Sequence, residues 1–392
     1  MSRTIGAILL GTAAAASSSI PDARPPPLQR KFNSTAVEKY LADLVPRFVD
    51  PDLGTMFANS LPNTLDTTIQ LASADDSFII TGDIEAMWLR DSTNQLMPYF
   101  EIPDPDPELL GMMRGAVLRQ LRSVLIDGYA NAFNIGPNGN GHQTDIRFPP
   151  MTPDLWEGKF ELDSLAAVLK LSYKYWQVDP DASVFDSADS PYIDAVATIV
   201  GVITEQQAST EEDGDHPHYN FSHAGGGRVE RYPSPESTVR RCGLSKCGFR
   251  PSDDATGFAF LIPSNAMAAT ELFNTASLLE TLADPRASPL AAAARALGAE
   301  IRAAVAELAV SPAGLYAYEV NGFGQQHLHY DDANVRESSF ARECTHTHIE
   351  SPEYTIEYYG GGGGVSLNRA LLVDDEAVTR VVLGTGCSVS GA

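Results

Sequence analysis

NAMAATELFNTASLLETL (265–282) and LAAAARALGAEIRAAVAEL (290–308) decide the fold class. In both, apolar side chains return every three or four positions, the spacing of a helix with one face against a core. The same spacing recurs over 108–126, 161–176 and 192–203, and in Val37, Tyr40, Leu41 and Leu44 after the Pro-rich linker Pro25-Pro26-Pro27. Strand-like alternation is confined to short pieces, Ser77-Phe78-Ile79-Ile80 and 314–320. Long loops rich in Gly, Pro, Asp, Asn and aromatics, such as 134–154 and 225–254, separate the helices, and loops of that kind build sites. The expected fold is mostly α: paired helices whose loops gather into a polar, aromatic-lined pocket, with a helical toroid as one economical closure.

With 392 residues, 43% of them hydrophobic, the chain can bury the core of one large domain or two ordinary ones. Fifty-one Asp and Glu against 27 Lys and Arg leave a formal charge of −24. Such a surface repels phosphate backbones and anionic lipid, which argues against nucleic acid as a partner and leaves neutral or cationic small molecules and sugars as easier ligands.

Residues 1–22 read as a signal peptide or N-terminal anchor: Arg3, then an apolar and small-residue stretch over 5–16, then Ser17-Ser18-Ser19. The stretch is too short to span a bilayer and no later segment is long enough. Asn33-Ser34-Thr35 and Asn220-Phe221-Ser222 are glycosylation sequons, consistent with a secreted or secretory-pathway chain. Of four cysteines, Cys242 and Cys247 close a small loop that an oxidising compartment could staple.

Chemistry-bearing residues fall into four groups. Thr81-Gly82-Asp83-Ile84-Glu85-Ala86-Met87-Trp88-Leu89-Arg90-Asp91-Ser92 packs three carboxylates, an Arg and a Trp into one short segment. A helix starting near Asp83 would be capped by it, with Trp88 as an apolar platform and Arg90 and Asp91 as a fork for sugar hydroxyls. His142, in Gly139-Asn140-Gly141-His142-Gln143-Thr144-Asp145, precedes Trp156, Glu161 and Asp163, the two acids lying at the start of a helix. Arg250-Pro251-Ser252-Asp253-Asp254 sets two adjacent acids beside an Arg, ahead of a helix that Ser264 would cap. Adjacent carboxylates can be driven apart in pKa, leaving one protonated as a general acid. Last, His327 and His329 lead to Asp331, Asp332 and Asn334, a spacing that suits sugar contacts by the two Asp residues better than a metal.

No Gly-x-Ser-x-Gly elbow, Walker loop, dinucleotide fingerprint or His-Glu-x-x-His helix occurs. What remains is acids, amides and aromatics in loops. That inventory suits glycoside hydrolysis, which needs two carboxyl groups flanking the scissile bond and aromatic platforms for sugar rings.

Four segments, 81–92, 156–164, 249–254 with Leu261-Ile262-Pro263-Ser264-Asn265, and Tyr330-Asp331-Asp332-Ala333-Asn334, resemble glycoside hydrolase family 125. The resemblance covers roughly 59–335. It implies an (α/α)6 barrel over 23–335 and exo-acting α-1,6-mannosidase activity with inversion and without a metal or other cofactor, on mannose-containing glycans. The family's general acid falls on the Asp pair, Asp253 first and Asp254 second. Asp83, Glu85, Trp88, Arg90, Asp91, His142, Trp156, Glu161, Asp163, Arg250, Asp331 and Asp332 would line the sugar pocket. The family's base is a Glu in a late His-Glu-Ser-like segment, and none occurs between Val335 and Ala392. From Arg336 the character changes to Ser, Glu, Cys and His, then five glycines, with no amphipathic helix. The expectation is a divergent tail over 336–392, such as a read-through intron, and a barrel incomplete at its C-terminal end. The alternatives are a mannoside-binding homologue without hydrolysis and an α-glucosidase-type (α/α)6 hydrolase.

Overall fold

The computed structural model describes residues 18–179, 183–225, 228–312 and 314–328, and the backbone of four short strands within 348–384. Three helices open the chain: α1 (Thr35–Leu44), α2 (Pro51–Ser60) and α3 (Asn63–Thr67). Then follow α4 (Leu89–Leu96), α5 (Pro107–Ile126), α6 (Leu162–Val178), α7 (Ser183–Asp186), α8 (Tyr192–Glu205), α9 (Thr210–Asp213), α10 (Ile262–Leu279) and α11 (Ala287–Leu308).

The long helices form two rows. In the inner row α6 lies between α4 and α10; in the outer row α8 packs against α5 and α11, and the rows meet through α5 on α6 and α10 on α11. Burial follows this placement. On α11 the buried residues Ala287, Ala291, Ala294, Leu297, Ile301, Ala304 and Val305 form a single stripe, as expected of an outer helix. On α6 every residue from Leu162 to Ser172 is buried, because neighbours cover it on all sides. One carboxylate ties α5 to α1: Asp106 is the N-cap of α5, accepting from Leu109 N, and its other oxygen accepts from Ser34 Oγ and Ala36 N at the start of α1.

Short strands carry the loops at the helix N-termini. One sheet has the order β3 (Met87–Trp88), β4 (Ala132–Phe133), β6 (Leu155–Glu157); β1 (Ile69–Leu71) pairs with β2 (Phe78–Ile79). A second sheet is made of β5 (Ile146–Phe148), β7 (Asn220–Gly225) and β8 (Arg228–Tyr232), of which β5 and β8 lie within segments expected to be loops. Its strand β5 holds Arg147 inward on Asp127 (2.8 and 3.1 Å) and leaves Ile146 and Phe148 exposed. The third has the order β11 (Gln326–His327), β10 (Glu319–Val320), β9 (Phe260–Leu261). In the tail, β12 (His348–Glu350), β13 (Thr355–Tyr358), β14 (Gly364–Arg369) and β15 (Val381–Gly384) make an antiparallel sheet in chain order.

The long helices expected from periodicity form, with ends displaced by up to three residues. Three local expectations are corrected. The helix of the first motif starts at Leu89 with Trp88 as N-cap, so Asp83 caps nothing and lies in the loop before β3. Ser264 is already inside the first turn of α10, whose N-cap is Leu261, and its hydroxyl is used elsewhere. Cys242 and Cys247 are both free thiols: Cys247 is buried, its sulfur donating to Phe249 O (2.9 Å) and accepting from Leu162 N (3.2 Å), a position that serves packing and not a staple.

Candidate active site

The first turns of the three inner helices meet, and buried charge is concentrated there. Arg90, one residue into α4, is 6% exposed. Its Nη1 donates to Glu161 Oε2 (2.6 Å) at the N-cap of α6 and to Asp163 Oδ2 (3.2 Å) in the first turn. Nη2 lies 3.1 Å from Asp91 Oδ2. Ser264 of α10 donates to Asp163 Oδ1 (3.1 Å), and Ser164 donates to Glu161 Oε2 (3.0 Å). The helix dipoles favour acids at these ends: the first turns of α4 and α6 carry Asp91 and Asp163, while α10 contributes Ser264. Burial pushes the Glu161 carboxyl well above the usual range; Arg90 pulls it back, and the charges of Asp163 and Asp253 add to the rise.

Asn131, fully buried beside β4, joins this cluster to a second one. Its Nδ2 donates to Glu157 Oε2 (2.8 Å) and Glu161 Oε1 (3.1 Å), and its Oδ1 accepts from Lys159 N (3.2 Å). Glu157 is an inward-pointing residue of β6. Burial alone would raise its carboxyl, but His142, Lys159 and Asn131 together hold it below the usual value. His142 Nδ1 lies 3.2 Å from Glu157 Oε1, and that hydrogen bond, more than its partial burial, sets the imidazole above its ordinary pKa. Asp145 sits between two imidazoles, with His223 Nδ1 at 2.5 Å and His142 Nδ1 at 3.8 Å.

The loop between β8 and β9 brings Asp253 to the same place. Arg250 N donates to Asp254 O (2.8 Å) and Asp253 N to Arg250 O (2.9 Å), closing a tight turn in which Asp253 takes φ +68°. Lys159 Nζ donates to Asp253 O (2.7 Å) and lies 3.3 Å from Glu230 Oε2 and 3.8 Å from Glu157 Oε1. Asp253 is open to solvent, yet the walls around it strip much of its hydration. That dehydration and the nearby Glu157 charge push its carboxyl up to about 6, against the pull of Arg90 and Lys159. An accessible acid that still carries its proton near pH 6, beside buried acceptors locked by hydrogen bonds, can donate a proton to a leaving group while its neighbours hold hydroxyls.

Aromatic surface lies alongside. Trp88, expected as the platform, is buried with Ala86 and Ala132, and the partly accessible Trp156 packs against that small cluster. Gly141 supports it: a Cβ there, at φ +88°, would lie 2.3 Å from Trp156 O and 2.8 Å from the indole Cδ2. The structure therefore brings together Arg90, Asp91, His142, Trp156, Glu161, Asp163, Asp253 and, through the turn, Arg250. Asp83 and Glu85 are exposed in the loop before β3, and Asp254 contributes its carbonyl to the turn. Asp331 and Asp332 lie outside the described residues.

Sequence reasoning did not select Glu157, Lys159, Asn131 or Glu319 as site residues. Glu157 and Lys159 stand within the 156–164 motif, and buried acid in an apolar strand, Leu155-Trp156-Glu157, was the available signal. Among the described residues no cluster of three or more His, Cys, Asp or Glu has the geometry to hold a metal ion. His327 of the His-x-His pattern is engaged by Glu319 (3.0 Å) and stacked on Phe258.

The sequence matches the family described as metal-independent alpha-mannosidase, glycoside hydrolase family 125, over residues 50–338. It is 35% identical over 345 residues to the meiotically up-regulated gene 157 protein of Schizosaccharomyces pombe, across 81% of this chain and 65% of that protein's length. The fold is similar to that of a metal-independent alpha-mannosidase from Streptococcus pneumoniae, solved as a non-productive complex with alpha-1,6-mannobiose. The TM-score is 0.68 at 28% identity, covering 84% of this chain and 82% of the other. The chain belongs to the metal-independent α-mannosidase family, glycoside hydrolase family 125.

Proposed function

We propose that this glycoside hydrolase is an exo-acting α-1,6-mannosidase that releases terminal mannose with inversion. The observation that carries the reading is Asp253: a solvent-facing acid lifted to about 6, set among Arg90, Glu157 and Lys159 where three helix N-termini converge. In the proposed reaction its proton passes to the glycosidic oxygen as the C1–O bond breaks, and a water deprotonated by a separate base attacks C1 from the opposite face. Asp91, Glu157, Trp156 and His142 would hold the terminal mannose, with Asp331 and Asp332 as further contacts. The mannobiose bound by the Streptococcus pneumoniae protein supports this linkage. The architecture proposed is an (α/α)6 ring, of which the inner row α4, α6, α10 and the outer row α5, α8, α11 would be an arc. Secretion, with a cleaved or retained leader over 1–22 and glycans on the sequons, completes the proposal.

The test is mannose release from α-1,6-linked mannobiose, with the product anomer read by proton NMR and Asp253→Asn as control. Release of β-mannose by the parent chain and none by the variant is expected; turnover unaffected by Asp253→Asn overturns the assignment. The alternative reading is a chain that binds terminal mannose without hydrolysing it. Thermal protection by mannose without turnover would select that reading.

A further inference from the structure

Glu319, on β10, is 0% exposed, and both of its carboxylate oxygens are occupied. Oε1 accepts from Arg250 Nε (2.6 Å); Oε2 accepts from Gly257 N (3.1 Å) and Phe258 N (2.9 Å) and meets His327 Nδ1 (3.0 Å). Those donors are not scattered. Arg250 begins the loop segment that presents Asp253, and Gly257 and Phe258 end it. One side chain therefore holds both ends of the loop. The space it takes is already full: a Cβ on Gly257 would lie 2.8 Å from His327 Cε1 and 3.0 Å from Glu319 Oε2.

The loop needs such a clamp. Asp253 sits at φ +68°, a left-handed conformation that costs a non-glycine residue free energy and persists only where surroundings over-determine it. Charge-assisted hydrogen bonds are the strong ones, and a carboxylate gripping a guanidinium and two backbone N–H groups supplies several at once. Complete burial and full occupancy also exclude Glu319 from activating water itself.

We propose that Glu319 is the positioning residue of the acid loop, clamping residues 250–258 at both ends so that Asp253 is held against the glycosidic oxygen. The proposal rests on the reading of Asp253 as general acid. Its signature is selective. A misplaced acid slows departure of a poor leaving group, such as a sugar, far more than departure of dinitrophenolate, which needs no proton.

The experiment compares the full chain with Glu319→Gln on α-1,6-mannobiose and on 2,4-dinitrophenyl α-mannoside, alongside amide hydrogen exchange by mass spectrometry. On mannobiose kcat is expected to fall about 10- to 100-fold, with KM and the dinitrophenyl rate changed by less than about threefold. Equal losses on both substrates would show a merely structural role and overturn the proposal. If the parent hydrolyses neither substrate, the mannosidase reading fails, and exchange decides this one by itself: faster exchange confined to 249–258 supports the clamp, and unchanged protection there overturns it. Should Glu319→Gln not fold, Arg250→Lys, which keeps the charge but loses the Nε–H donor, carries the same comparison.

Discussion

Replacing Arg90 by Met isolates the energetic centre of the site. Arg90 is the cation shared by Glu161 and Asp163, both with fully buried side chains, and it also lies against Asp91. Methionine fills most of the volume but leaves two buried carboxyls without a cation. Removing one partner of a buried ion pair costs about 3–5 kcal/mol, a large part of the roughly 5–15 kcal/mol that holds a domain folded, and should lower the melting temperature by on the order of 10 °C. The pH dependence has a definite sign. Burial already holds Glu161 well above its unfolded value near 4.5, so the folded state keeps a proton that the unfolded state gives up. A folded pKa that is raised contributes stability present at low pH and lost as pH rises. Without Arg90 the rise is larger, so the gap between parent and variant should stay constant in acid, where both folded states keep the proton, and widen only once pH passes the raised folded value of Glu161 in the parent. The assay is urea unfolding followed by far-UV circular dichroism at pH 5 and pH 7.5. A loss below about 1 kcal/mol at pH 7.5, or one larger at pH 5 than at pH 7.5, would refute the account of two desolvated carboxyls held by one guanidinium.

Four further outcomes are expected. Because Asp253 must be protonated to act and titrates near 6, kcat/KM should fall about tenfold per pH unit above that value. A flat profile to pH 8 would remove Asp253 from the role. The same raised pKa makes the ionised form costly in the fold, so Asp253→Asn should melt higher than the parent at pH 7, with the difference vanishing below pH 4; no difference at pH 7 would contradict the desolvation argument. Gly141→Ala should cost at least the roughly 1–3 kcal/mol of left-handed strain and weaken mannose binding through Trp156, and an unchanged melting temperature would show that the loop yields. Expressed through a secretory host, Asn220 should carry a glycan: it stands opposite the exposed Phe148 in the β5–β7 register, on the outer face of that sheet. A mass unchanged by peptide N-glycosidase in the peptide containing Asn220 would refute this.

The helices were readable because the signal for them is short-ranged. The stripe Ala287, Ala291, Ala294, Leu297, Ile301 on α11 repeats within a few residues, and any helix that must cover one face carries it. The first two motifs and the Asp pair were readable as polar density in loops. Their roles were not, because a side chain's role here depends on neighbours far away in sequence. Arg90 finds Glu161 across 71 positions and Arg250 finds Glu319 across 69. The same indole chemistry reads as a platform at Trp88 and at Trp156, and only packing buries the first and leaves the second accessible. Asp253 and Asp254 stand side by side in one motif; the turn, the Lys159 contact and dehydration of the Asp253 carboxyl distinguish them. Sequence by itself determined the helical class and where the chemistry is concentrated, since period and composition are local properties. Tertiary structure alone decided which carboxyl keeps its proton and which carboxylate holds it in place, since desolvation and charge pairing exist only where distant segments meet.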